Sequence, residues 1–163
     1  MRKINPDHIA ALLGMINNGP YYQLLSMRVI EIGEGHSRLE AELQQKHQNP
    51  FGITHGGVYA SILDTAAYWS AYCDVEEGAG LTTIDISSNN LAMSNGGKVL
   101  VEGRLIKAGR SICLVEADAR DESGRLLAHA TSKLMVLDGR QSISQALAAM
   151  GHDPLPPKYL DQE

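Results

Sequence analysis

The sequence predicts an α+β domain, a curved antiparallel sheet of about six strands wrapped around one long central helix. Three observations predict it. Val58, Ile62, Ala66, Trp69 and Cys73 recur every three or four residues, a helix of about five turns from near His55 to Asp74. On both sides of it the pattern changes to simple alternation, over residues 26–43 and again from Leu81 to Leu137. One helix cannot cover both faces of six strands, so the sheet must curl around it and its other face calls for another subunit. The 163 residues suit one domain over residues 1–163.

The elements follow in order. Asn5-Pro6-Asp7 reads as a helix start, Ile9, Leu12, Leu13 and Ile16 continue it, and Asn17-Asn18-Gly19-Pro20 stops it, giving an N-terminal helix over about 6–17. Strands at 26–34 and 36–43 flank Gly33-Glu34-Gly35; in the second, Leu39, Ala41 and Leu43 alternate with charged neighbours. Gln44 to Thr54 is polar and irregular. After the central helix, turns at Ser94–Gly97, Ala108–Arg110 and Asp121–Gly124 divide the remainder into four strands. Thr83, Asp85 and Ser87 form one polar strand face by alternation. The core spans about 20–137, and a tail over 138–163, with a short helix around Ile143, Leu147 and Met150, is expected to pack loosely outside.

Composition excludes several classes. A net charge of -5 argues against general nucleic-acid binding. No apolar run is long enough to span a membrane, and the first residues lack a secretory core, so a cytoplasmic location is the default expectation. Cys73 and Cys113 are isolated and read as reduced core residues. The histidines are scattered without metal-ligand spacing, so neither metal nor cofactor is expected. Residues 39–97 carry one lysine, Lys46, against seven acids, whereas 98–140 hold eight of the fourteen basic residues. The second region suits an anionic small ligand or, alternatively, charge-guarded strand edges.

The chemistry concentrates between Asn49 and Asp64. Gly56 and Gly57 open a long helix despite their low helix propensity. Bare backbone there gives a ligand access to the first N–H groups, which with the helix dipole suit an anion or a developing oxyanion; the alternative is a tight turn packed on another backbone. Asp64 lies in mid-helix beside Leu63 and Ala66, where an acid is costly unless paired or used, so it is a candidate base or nucleophile unless that stripe is exposed. Thr83, just beyond the helix, is placed to hold a water or is ordinary half-exposed strand polarity.

Asn49, Gly52, His55-Gly56-Gly57 and Asp64 together resemble the signature of the hotdog-fold acyl-CoA thioesterases, in particular their PaaI-like (phenylacetate-pathway) branch. The resemblance extends over about 20–137 and takes in the Thr83-Ile84-Asp85 strand and the Lys107-Ala-Gly-Arg110 hairpin. It implies hydrolysis of an acyl-CoA to free acid and CoA in a homodimer, commonly paired again into a homotetramer, with the site at the subunit interface. One subunit would supply Asn49 and the Gly56 N–H to polarise the thioester, with Gly57 beside it. The other would supply Asp64, attacking directly or activating water, and Thr83 to position that water. His55 would buttress the loop, and Lys107 and Arg110 would meet the anionic nucleotide end. Tyr68, with Tyr59 and Trp69, would line the acyl group or pack the interface. Alternatives are a hydratase on the same fold, for which His55 and Asp64 are poorly spaced, and a non-catalytic acyl-CoA sensor or assembly subunit.

Overall fold

The computed structural model describes residues 3–160; the ends of the domain expected over 1–163 lie outside these. In chain order its elements are β1 (Lys3–Ile4), α1 (Pro6–Ile16), α2 (Pro20–Leu24), β2 (Met27–Gly33), β3 (His36–Leu43), α3 (Gly56–Ser70), β4 (Gly80–Asn90), β5 (Gly97–Lys107), β6 (Ile112–Asp121), β7 (Leu126–Leu137), α4 (Ile143–Met150) and β8 (Tyr159–Leu160). Six strands form one antiparallel sheet in the order β2-β3-β5-β6-β7-β4, curved round α3. Ile62, Leu63, Ala66 and Ala67 of α3 are fully buried against Leu39, Val101, Val115 and Leu134 of the sheet. The crossing is close because small residues meet. The Ser37 hydroxyl donates to the Ala66 carbonyl at 2.6 Å, and Gly103, paired with Ser37 in register, leaves room for that same carbonyl.

Local chemistry explains each boundary. The Asn5 side chain accepts the Asp7 N–H at 3.0 Å, Pro6 opens the first turn of α1, and Asn17 ends it by bonding both N–H and C=O of Val29. Gly35, at φ +70°, turns β2 into β3. A bulge between Thr83 and Asp85 breaks the alternation of β4. The three polar residues therefore do not share a face. Thr83 pairs with buried Leu134 on the helix side, while Asp85 pairs with Lys133 outside and accepts its ammonium at 2.7 Å.

The expected five-turn helix stops early: α3 ends at Ser70, and Tyr72–Asp74 form a 3-10 turn. The reason lies in the tail, which docks tightly rather than loosely. Lys158 is 1% exposed, and its ammonium donates to the carbonyls of Tyr72 at 2.6 Å and Val75 at 2.5 Å, 4.3 Å from the Tyr72 ring centroid. The Tyr159 hydroxyl donates to the Val75 carbonyl at 2.7 Å, and β8 pairs with β1. The His8 ring bridges the Pro156 carbonyl and the Tyr72 hydroxyl. The tail thus supplies the donors that the end of the central helix lacks.

Removing that clasp has a measurable cost. Lys158→Met leaves the buried Tyr72 carbonyl without a donor and the Val75 carbonyl with the Tyr159 hydroxyl alone, so urea unfolding should show a loss of about 1–3 kcal/mol. Burial lowers the Lys158 pKa from 10.5 to about 8, so above pH 8 the folded chain has shed a proton that the unfolded chain still holds. The wild-type advantage over Lys158→Met should therefore widen as pH rises from 8 towards 10.5.

The outer face of the sheet, for which a second subunit is expected, is mixed: Ile112 and Met135, paired in register, are exposed on it at 46% and 41%. It also carries a ladder of ion pairs, Arg104–Glu116 at 2.7 Å, Arg120–Asp118 at 3.3 Å and Arg38–Glu102 at 3.6 Å. One edge of the sheet is β4. There Ser88 and Asn90 point to the helix side yet are exposed, Asn90 with its amide against Gly56 at the start of α3.

Candidate active site

The loop before α3 is built around one side chain. The Asn49 Oδ1 accepts the N–H of Phe51 at 2.9 Å and of Ile53 at 3.4 Å, and Gly52, at φ +76°, closes the turn by donating to the Asn49 carbonyl. Because both partners of Oδ1 are donors, the group Asn49 has left to offer is its NH2. His55 is the N-cap of α3: its Nδ1 accepts the Gly57 N–H at 2.8 Å, so the ring buttresses the helix start and its Nδ1 is committed. That bond uses up the Gly57 donor. The Gly56 N–H has no partner among the described residues, and the Asn90 amide lies against its Cα, 2.6 Å from where a Cβ would stand. Asn49, Gly56 and Asn90 line one cavity of about 560 Å³.

Asp64 lies eight residues further along α3, half-buried. Its Oδ1 accepts the Thr83 hydroxyl at 3.0 Å, a contact that is made because Thr83, just before the β4 bulge, faces inward with Leu81. Burial pushes the carboxyl pKa above the ordinary 3.8, outweighing the Thr83 hydrogen bond that lowers it, and no cation pairs with it among the described residues. An uncompensated carboxylate on the central helix is a base held ready. Tyr22 of α2 lies near enough to feel the Asp64 charge; its hydroxyl accepts the Trp69 indole N–H at 2.7 Å. Tyr21 of the same helix bonds Ser61 at 2.6 Å. Sequence reasoning missed this five-residue helix and therefore missed Tyr22. Tyr68 follows Asp64 by one turn, half-buried and edge-to-face with Trp69 at 5.0 Å, its pKa pushed up to about 12 by burial.

Lys107 and Arg110 are not near these groups within the chain. They lie at the far end of β5 and in the hairpin after it, beside the C-terminal end of α3, whereas Gly56 is at its N-terminal end. Arg110 lines a cavity there with Asp74, Glu76 and Asp138, three acids that make it a poor receptor for phosphate. The cation that shares the Gly56 cavity is Arg125, immediately before β7.

The profile of the thioesterase superfamily matches residues 51–128, which include Gly56, Asp64 and Thr83 but not Asn49. A 1,4-dihydroxy-2-naphthoyl-CoA hydrolase of Listeria monocytogenes is 27% identical over 105 residues, 64% of this chain and 85% of that protein. The proofreading thioesterase EntH of Klebsiella pneumoniae is 29% identical over 104 residues, 60% of this chain and 76% of that one. Among solved structures, a Haemophilus influenzae thioesterase superposes with a TM-score of 0.73 at 25% identity, covering 80% of this chain and 90% of its own. Strand order, central helix and sequence profile agree: the chain is similar to the thioesterase superfamily, and its sheet wrapped round α3 is the hotdog fold.

Proposed function

We propose that the protein hydrolyses an acyl-CoA thioester to the free acid and CoA, in sites built from two copies of the chain. The observation that carries this reading is the spacing on α3. Gly56, with its unused N–H, and Asp64, with its uncompensated carboxylate, are eight residues apart, about 12 Å of helix at 1.5 Å per residue. Both cannot act on one carbonyl within one chain. A second copy pairing on the free β4 edge, where inward-facing Ser88 and Asn90 are exposed, supplies the missing half.

In such a site the Gly56 N–H and the Asn49 NH2 of one subunit hold the thioester carbonyl and stabilise the oxyanion that forms on it. Asp64 of the other takes a proton from water as the water adds to the carbonyl carbon, or adds itself; either role needs it ionised. Thr83 fixes the rotamer of Asp64 through Oδ1. Collapse of the tetrahedral intermediate breaks the C–S bond: on the base route Asp64 returns its proton to the leaving thiolate and the free acid forms directly, and on the nucleophilic route the thiolate takes a proton from solvent and a water then cleaves the Asp64–acyl anhydride to the free acid. The relatives that are named as CoA-thioester hydrolases support CoA as the carrier of the acyl group.

The test is thiol release from a panel of acyl-CoAs of short, medium and long chain together with phenylacetyl and hydroxybenzoyl esters. Turnover of at least one is expected; binding of CoA esters with no release would sink the hydrolase and leave an acyl-CoA sensor in its place.

A further inference from the structure

The half-buried stripe of α3 has an end. Ser61, Asp64, Thr65 and Tyr68 are half-buried, whereas every residue from Trp69 to Cys73 is buried. The short helix α2 grips α3 on either side of Asp64. The Tyr21 hydroxyl bonds that of Ser61 at 2.6 Å, and the Tyr22 hydroxyl accepts the Trp69 indole N–H at 2.7 Å. α2 lies outside residues 51–128, the span that the thioesterase profile matches, so the profile does not account for what this helix brings to the site.

Two phenols stand where the stripe ends. The Tyr22 hydroxyl accepts from Trp69, but its own proton has no acceptor among the described residues. The Tyr68 hydroxyl has no hydrogen-bond partner among them. Tyr68 feels the charge of Tyr22, and Tyr22 that of Asp64, so the three groups are neighbours. Burial raises the pKa of both phenols, that of Tyr68 to about 12, and both remain donors at any working pH. A hydroxyl that already accepts a hydrogen bond is polarised to donate a stronger one.

Both rings are held in place. Trp69 packs edge-to-face on Tyr68 at 5.0 Å and on Tyr72 at 5.4 Å. The Tyr72 hydroxyl is bound to His8 and the Tyr72 carbonyl to the Lys158 ammonium. The donors are thus fixed before any ligand arrives.

We propose that Tyr22 and Tyr68 select the acyl group: their hydroxyls donate to a hydroxyl or keto oxygen carried a few carbons from the thioester, so the substrate is a compact oxygenated acyl group rather than a plain hydrocarbon chain. The proposal rests on the thioesterase reading. A thioester carbonyl held by Gly56 of one copy and attacked from Asp64 of the other sends its acyl chain along α3 of the second copy, past Asp64. Tyr68 is one turn further on, about 5.4 Å. An oxygen there has two lone pairs for the two donors. A hydrocarbon chain would cover both donors and leave them unpaired, which is how a polar pocket rejects an analogue that lacks the polar group.

The experiment measures kcat/KM for matched pairs of acyl-CoAs, butyryl with 3-hydroxybutyryl and phenylacetyl with 4-hydroxyphenylacetyl, in wild type, Tyr22→Phe and Tyr68→Phe. Binding of the same esters is followed by calorimetry. Wild type should favour the oxygenated member of at least one pair about tenfold or more, and the pair that responds tells how far from the carbonyl the oxygen sits. Each variant should cut that ratio about fivefold, as loss of one hydrogen bond does. Tyr68→Phe removes no hydrogen bond within the described chain, so it decides the matter if Tyr22→Phe melts low. A wild type without preference in either pair overturns the proposal, as do variants that lower both members of a pair equally. If nothing turns over but wild type binds the oxygenated ester more tightly than its plain partner, by a margin that the variants lose, the selection stands and the hydrolase falls. Binding without that margin overturns the selection.

Discussion

Asp64→Asn should cost at least about 10²-fold in kcat/KM, and Asp64→Ala the same or more, which is the scale of a lost general base. Asparagine keeps the shape and can still accept the Thr83 hydroxyl, which now reaches Asp64 at 3.0 Å, so a loss in this variant reports chemistry rather than collapse. Stability should move the other way. Burial raises the folded pKa above the ordinary 3.8, so holding the ionised carboxylate in place costs the fold free energy. That penalty is absent below the ordinary value, where folded and unfolded chains are both protonated, and is complete above the folded pKa. Asp64→Asn should therefore melt higher than wild type at neutral pH and lose that advantage near pH 3. Wild-type kcat/KM should fall on the acid side, with a limb displaced above the usual carboxylate range. Thioester hydrolysis and thermal melting across pH read both effects. Asparagine at this position melting lower at neutral pH would mean that the carboxylate serves the fold.

The second large effect is structural. Gly103→Ala places a Cβ 2.2 Å from the Ala66 carbonyl oxygen and 2.5 Å from its carbon, both backbone atoms that cannot swing aside. The central helix must leave the sheet, taking the Ser37–Ala66 hydrogen bond with it. Overpacking of this kind costs about 3 kcal/mol, a fall of roughly 10 °C in Tm for a chain of this size. Gly56→Ala is the contrast. Its Cβ would meet the Asn90 amide at 2.6 Å, the movable end of a side chain, so the melting point should hardly change while KM rises. Differential scanning calorimetry of the two variants distinguishes a glycine kept for packing from one kept for access.

Periodicity alone carried much of this architecture. The change from alternation to helical spacing and back marked α3 and the strands on either side, because an element buried on one face must repeat its apolar residues at its own period. What periodicity could not show was contact at a distance. The end of α3 is clasped by Lys158, some eighty residues away, and a lysine after two prolines gives no sign that it will be buried. The bulge at Ile84 leaves the composition of β4 unchanged but reverses the direction of every residue after it, so Thr83 and Asp85 seemed to share a face and do not. At five residues, α2 is too short for its period to register, and Tyr22 was lost with it. Gly103 did carry a signal, a glycine inside a strand, which marks close approach of another backbone. The Asn49-to-Asp64 motif was legible as a motif, yet which groups stay free depended on hydrogen bonds. Oδ1 of Asn49 and Nδ1 of His55 are committed locally, and only the structure shows this.

The central claim is that one working site takes Asn49 and Gly56 from one chain and Asp64 from another. Subunit mixing tests it directly. Asn49→Ala and Asp64→Asn are each made, shown to be impaired, then unfolded together, refolded and assayed. In a mixed dimer one site receives both defects and the other receives neither. If half the dimers are mixed and half their sites intact, the mixture should recover about a quarter of wild-type activity. Activity that stays at the mean of the two variants, with mixed dimers demonstrated in the sample, would contradict the shared site.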